Sequence, residues 1–272
     1  SHEDKFHYRP FGHRKKGMKR YLAWIGLLGF LLVPSLAEAE DNLIDLYANG
    51  NAAFSSSDYI AAAYYYDRML ESDGWDSFPQ NLDVLRKLAM IDESQAHFER
   101  AVVHYRQLIE IHSSSPQNND RSMMPYYLQR YAENLERIGR YEQAGQILWR
   151  LVRESDAINQ PAYLSLLLNN GTYLRWSDSQ IDDLRTLIVP THLDSVGWEF
   201  ANLLYNQDRH SESIELFDKL WPSNPIKACE YSNTFLTLYS NANRLDDLVN
   251  RIRIQQNAAN ADPFSLMVLE IT

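Results

Sequence analysis

The chain has 272 residues, 45% of them hydrophobic, with 10 glycines, 10 prolines and a single cysteine, Cys229. That little glycine and proline argues against a loop-rich β fold, and one cysteine excludes an internal disulfide. Seven of the 26 basic residues and three of the 36 acidic ones precede residue 40, leaving 19 basic against 33 acidic, near −14, from residue 40 onward. So acidic a body argues against nucleic acid as the partner, because binding phosphate needs clustered Lys and Arg.

Residues 1–17 form a basic N-terminal extension. Residues 18–39 read as a signal peptide or signal anchor: Met18-Lys19-Arg20 is a positive start, Tyr21 to Val33 an apolar run, Pro34 a breaker and Ala37-Glu38-Ala39 a small-x-small cleavage site. Cleavage is expected after Ala39. If uncut, the apolar run to Ala37 is about the minimum that spans a bilayer. Either way the body is expected in the periplasm, free or anchored at the inner membrane.

From residue 42 a pattern returns along the chain. Gly50 to Phe54 is followed by Asp58-Tyr59, Ala62 and Tyr66. Arg137-Ile138-Gly139-Arg140-Tyr141 is followed by Ala144 and Leu148, and Asn206 to His210 by Ser213 and Phe217. A turn, a large residue, a small one and then an apolar one describe a helix–turn–helix unit. One such unit cannot bury its own apolar face, so neighbours must bury each other. Units are expected over 42–75, 82–115, 125–158, 194–227 and 229–260, with a degenerate helical stretch over 160–190 in which Leu184 and Ile188 fit the second helix. Ala62, Ala101, Ala144, Ser213 and Leu248 are expected where the two helices of a unit touch, at intervals of 39, 43, 69 and 35 residues. A large side chain there would force the helices apart. Tyr66, Tyr105 and Phe217, one turn later, are expected in the core. Residues 263–272 read as the apolar start of a further helix.

These units resemble the tetratricopeptide repeat, whose period is about 34 residues. The resemblance covers roughly 42–260 and implies an all-α fold, a right-handed α-solenoid of about five to six repeats. It further implies that a protein partner lies along the concave surface made by the first helix of each unit. Carried over position by position, the groove residues are Tyr47, Asn51 and Phe54; Arg86, Met90 and Glu93; Gln129, Arg130 and Glu133; Trp198, Asn202 and Tyr205; and Asn233 and Thr237. Aromatics mixed with amides and arginines suit an extended peptide. The carboxylate clamp of chaperone-binding members is incomplete: Asn51 and Arg130 match, but Tyr47, Lys87 and Tyr126 stand where Lys, Asn and Lys are expected.

Little points to chemistry. His97 and His104, with Glu93 near, lack a third convergent ligand, so no metal and no cofactor are expected. No phosphate loop, nucleophile elbow or HExxH is present. Tyr64-Tyr65-Tyr66 is unusual, and outward rings at Tyr64 and Tyr65 would make a sticky patch. The sequence therefore reads as a non-enzymatic interaction scaffold of the bacterial periplasm, within a secretion, polysaccharide-export or motor assembly. Two alternatives remain: the repeat segment of a longer exopolysaccharide exporter, or the helical support of a cell-wall lytic enzyme.

Overall fold

The structure, a computed structural model, describes residues 42–114 and 121–256. The basic extension, the leader-like segment, residues 257–260 of the last unit and the segment 263–272 lie outside the described residues.

Thirteen α-helices and no strand occur among the described residues: α1 (Leu43–Ser55), α2 (Tyr59–Glu71), α3 (Asn81–Ser94), α4 (Phe98–Ser114), α5 (Met124–Arg137), α6 (Tyr141–Glu154), α7 (Gln160–Gly171), α8 (Asp178–Thr191), α9 (Leu193–Asn206), α10 (His210–Leu220), α11 (Pro225–Glu230), α12 (Ser232–Asn241) and α13 (Leu245–Gln256). Side-chain caps start several of them. Asn42 and Asp58 accept the backbone N–H of Ile44 and Ala61, and Ser177 with Gln180 forms a reciprocal capping box. Consecutive helices pack on each other as α1/α2, α3/α4, α5/α6, α9/α10 and α12/α13.

One turn closes all five pairs. Ser57, Ala96, Gly139, Asp208 and Asn243 have φ between 52° and 75°. Around each, the same backbone bonds recur; at the third pair Gly139 N–H reaches the Glu136 carbonyl at 2.9 Å and Arg140 N–H the Leu135 carbonyl at 2.8 Å. This is a Schellman turn, which satisfies carbonyls that the helix end leaves bare. Each left-handed residue sits five positions before the contact residue, so turn and contact share one register.

The contact positions are buried as expected. Ala62, Ala101, Ala144, Ser213 and Leu248 are all closed to solvent, as are Tyr66, Tyr105 and Phe217. Ser213 Oγ donates to the Ala201 carbonyl at 2.7 Å, which lets a polar residue fill an alanine's place. On the facing helix, Gly50 lies against the Tyr66 ring; a Cβ there would come within 2.5 Å of it.

The degenerate stretch also forms two helices, but no left-handed residue closes the turn between them. α7 packs on α6 and α9, and α8 on α9. The connection Thr172–Trp176 lays Tyr173 on Tyr141 and brings Trp176 beside Trp149. An additional short helix that the periodicity did not predict, α11, bridges the fifth and sixth units. Among the described residues the apolar core falls into three clusters: one over α1–α3, one over α3–α5, and a large one from α4 to α13.

Candidate functional site

The turn residue gives a ruler along each first helix. Ten, six and three positions before it stand Tyr47, Asn51 and Phe54 on α1; Arg86, Met90 and Glu93 on α3; Gln129, Glu133 and Glu136 on α5; Trp198, Asn202 and Tyr205 on α9; and Asn233, Thr237 and Ser240 on α12. Such spacings share one helical face. The residues read from the sequence thus fall in one register, with Arg130 one position along from Gln129.

Their environments differ. Met90, Asn233 and Thr237 are exposed, and most of the others are partly buried. Trp198 corrects the expectation of a groove residue: it is 1% exposed. Its ring stacks on Tyr231 at 5.6 Å and meets Phe217 and Phe235 edge-on. The additional helix α11 and the start of α12 bring Tyr231 over this face, so Trp198 is core between the fifth and sixth pairs. Tyr205 is partly buried beside His210 at 5.6 Å. Of the outward tyrosines, Tyr64 is 55% exposed, whereas Tyr65 packs on the first apolar cluster.

Many residues of this face bond across it to the next first helix. From α3 to α1, Asp83 accepts from Tyr47 Oη at 2.9 Å, while Lys87 Nζ donates to Asn51 at 2.5 Å and to Asp83 at 2.6 Å. Lys87 also lies over the rings of Tyr47 and Phe54. From α5 to α3, Arg130 reaches Glu93 at 2.7 Å and Asn134 also donates to Glu93. From α7 to α5, Asn170 Nδ2 donates to Glu136 at 2.7 Å. Burial pushes the Asp83 carboxyl up, but its bonds from Lys87, Arg86 and Tyr47 outweigh that and hold it below the usual carboxylate range. At Glu136 burial prevails, with repulsion from Glu133 added: the Asn170 bond and the Arg137 charge only partly offset it, and its carboxyl stays above that range.

Where three units meet, this face opens into a cleft of about 700 Å³. Glu93 of α3, Phe98 of α4, Arg130, Glu133, Asn134, Glu136 and Arg137 of α5, Tyr141 of α6 and Tyr173 of the irregular connection line it. Arg130 bridges Glu93 and Glu133, the latter at 2.5 Å. Arg137 lies 5.9 Å from the centroid of Phe98. Tyr141 and Tyr173 stack face to face, centroids 4.5 Å apart and rings tilted by 12°. The cleft can hold a polar, mixed-charge segment against carboxylates, guanidinium groups and an open ring.

Sequence reasoning reached Glu93, Arg130 and Glu133 of this site and missed the rest. Glu136 was within reach, since it is three positions before the turn like Phe54 and Glu93. Tyr173 had no signal, because it lies where the period fails. His97 and His104, weighed as metal ligands, both face the buried Asp92 carboxylate, His104 Nδ1 at 2.9 Å and His97 Nδ1 at 3.8 Å, beside Arg100 at 3.3 Å. Among the described residues no group of three or more His, Cys, Asp or Glu is placed to hold a metal ion.

No family model and no curated protein matches the chain. Among solved structures it is similar to a tetratricopeptide repeat protein from Parabacteroides merdae (15% identity, TM-score 0.47, covering 80% of each chain). It is similar also to TPR-like repeats assigned to a Podosopora anserina kinesin light chain (14%, TM-score 0.44, 70% of this chain and 96% of that one). A third is an assembly chaperone of RpL4 (12%, TM-score 0.42, 84% and 94%).

Proposed function

We propose that this tetratricopeptide-like array is a non-enzymatic scaffold that holds a protein partner on the face of its first helices, centred on the cleft between the second, third and fourth units. The observation that carries this reading is the cleft itself: consecutive repeats supply its walls, and its lining mixes aromatic, amide and charged groups, as peptide sites do. The right-handed winding implied by the resemblance would continue the same face along the array.

The setting we infer is the bacterial envelope, with the body in the periplasm and its partner part of a larger assembly there. Support comes from the leader-like pattern of Met18 to Ala39. Protein recovered from its host should then begin at Glu40. A full-length, cytoplasmic product would overturn the export reading.

Photo-crosslinking in the cell tests the binding face. A crosslinking residue at Met90 or Tyr173 should give one shared adduct, and one at Ile158, which is 88% exposed on a connection, should give none. Adducts from Tyr64 on α2 in place of Tyr173 would move the interface to the outward tyrosines and overturn the cleft reading.

A further inference from the structure

Two of the three carboxylates in the cleft are answered by charge from within the protein. Glu93 accepts from Arg130, from Tyr105 at 3.2 Å and from Asn134. Glu133 accepts from Arg130 and from Gln129 at 2.8 Å. Glu136 differs, because its hydrogen-bond donor is the neutral amide of Asn170. Asn170 is 1% exposed, so this partner is fixed in the core. Arg137, the next residue, is turned over Phe98. Burial consequently prevails at Glu136, and the carboxylate is short of counter-charge.

The same cleft presents an aromatic surface. Tyr173 is 67% exposed although one face of its ring lies on Tyr141. A carboxylate with no cation bonded to it among the described residues and an open phenol ring in one cleft are what a guanidinium or ammonium group satisfies. The charge pairs with the carboxylate, and the cation or its stem covers the ring. From residue 40 onward the chain is also near −14, which draws a basic segment toward it at long range.

We propose that the cleft takes an Arg or Lys side chain of the partner segment, with its cation against Glu136 and its stem along Tyr173. This rests on the reading of the cleft as the partner site and adds the chemistry of what enters it.

Panning a random heptapeptide library on the full chain at 150 mM salt tests it. Peptides rich in Arg or Lys should be enriched, and Glu136→Gln should weaken the best of them by about tenfold. Glu71→Gln, which removes the same charge from the far end of α2, should leave affinity within about twofold. Circular dichroism of both variants checks that the helices persist. Basic peptides weakened equally by both variants would report diffuse attraction to an acidic surface and overturn the proposal. Enriched peptides without Arg or Lys that still block crosslinking at Tyr173 would also overturn it, while leaving the partner site standing. If no peptide is retained and Tyr173 gives no adduct in the cell, both readings fall.

Discussion

Burial pushes up two carboxylates on the shared face, but their bonding leaves them on opposite sides of the usual range. Asp83 receives two cations and a phenol, so its folded pKa is depressed, and it adds stability above the ordinary carboxylate range that is lost as pH falls through its folded value. Asp83→Asn should therefore cost about 1–2 kcal/mol at pH 7, and the gap in melting temperature should close toward pH 3. A gap that is flat with pH would mean the bonds do not depend on the charge. Glu136 carries the reverse sign. Its folded pKa is raised, so the native state binds the proton more tightly than the unfolded chain, and the cost of ionising it appears as pH rises through the carboxylate range. Glu136→Gln keeps an acceptor for Asn170 and removes that cost. Thermal scans should find the variant at least as stable as wild type at pH 7, with its advantage shrinking in acid.

The element that repeats most strictly is the turn. Five Schellman turns hold a left-handed residue, yet only Gly139 is a glycine. A Cβ added at Gly139 meets nothing within 4 Å, so replacing it tests backbone strain alone. Gly139→Ala should cost about 1 kcal/mol from the left-handed penalty. Ala96 already bears that strain at φ 58°, and Ala96→Gly should be neutral to stabilising by up to about 1 kcal/mol, the freer unfolded chain offsetting part of the relief. Urea unfolding of the pair measures both, and a loss in both variants would show that the turns are not equivalent. Asp208 and Asn243 occupy the same place with side chains that tolerate it better. The degenerate stretch, which lacks this turn, supplies Tyr173 to the cleft: the irregular element carries the open ring.

Over the whole array, the core is divided among clusters that share helices with their neighbours, so damage should spread unevenly. Trp198 stands in the largest cluster, closed in by Phe217, Tyr231 and Phe235. Trp198→Ala should cost about 3–5 kcal/mol. Hydrogen exchange should show it first in α9, α10 and α12, while α1–α3 amides keep their protection. Uniform loss of protection along the array would mean that the pairs unfold as one unit.

The sequence by itself determined the all-helical class and the positions where paired helices touch. Each of these depends on local spacing. A turn residue and the contact residue five positions into the following helix fix each other's register, and the constraint repeats. The resemblance of its units to a known repeat added candidate positions on the first-helix face, Tyr47, Asn51, Arg86, Glu93, Arg130 and Glu133 among them. Only the tertiary structure decided which of these residues are free. Asn51, Glu93 and Arg130 bond to the next first helix, and Trp198 is sealed by Tyr231, because one face has to serve both stacking and recognition. Their partners across the face lie 33 to 41 residues away, and along the chain that spacing is uneven. The cleft escaped the sequence for the same reason. Glu136, Asn170 and Tyr173 come together where the period breaks, and a pattern that stops repeating no longer says which side chains meet.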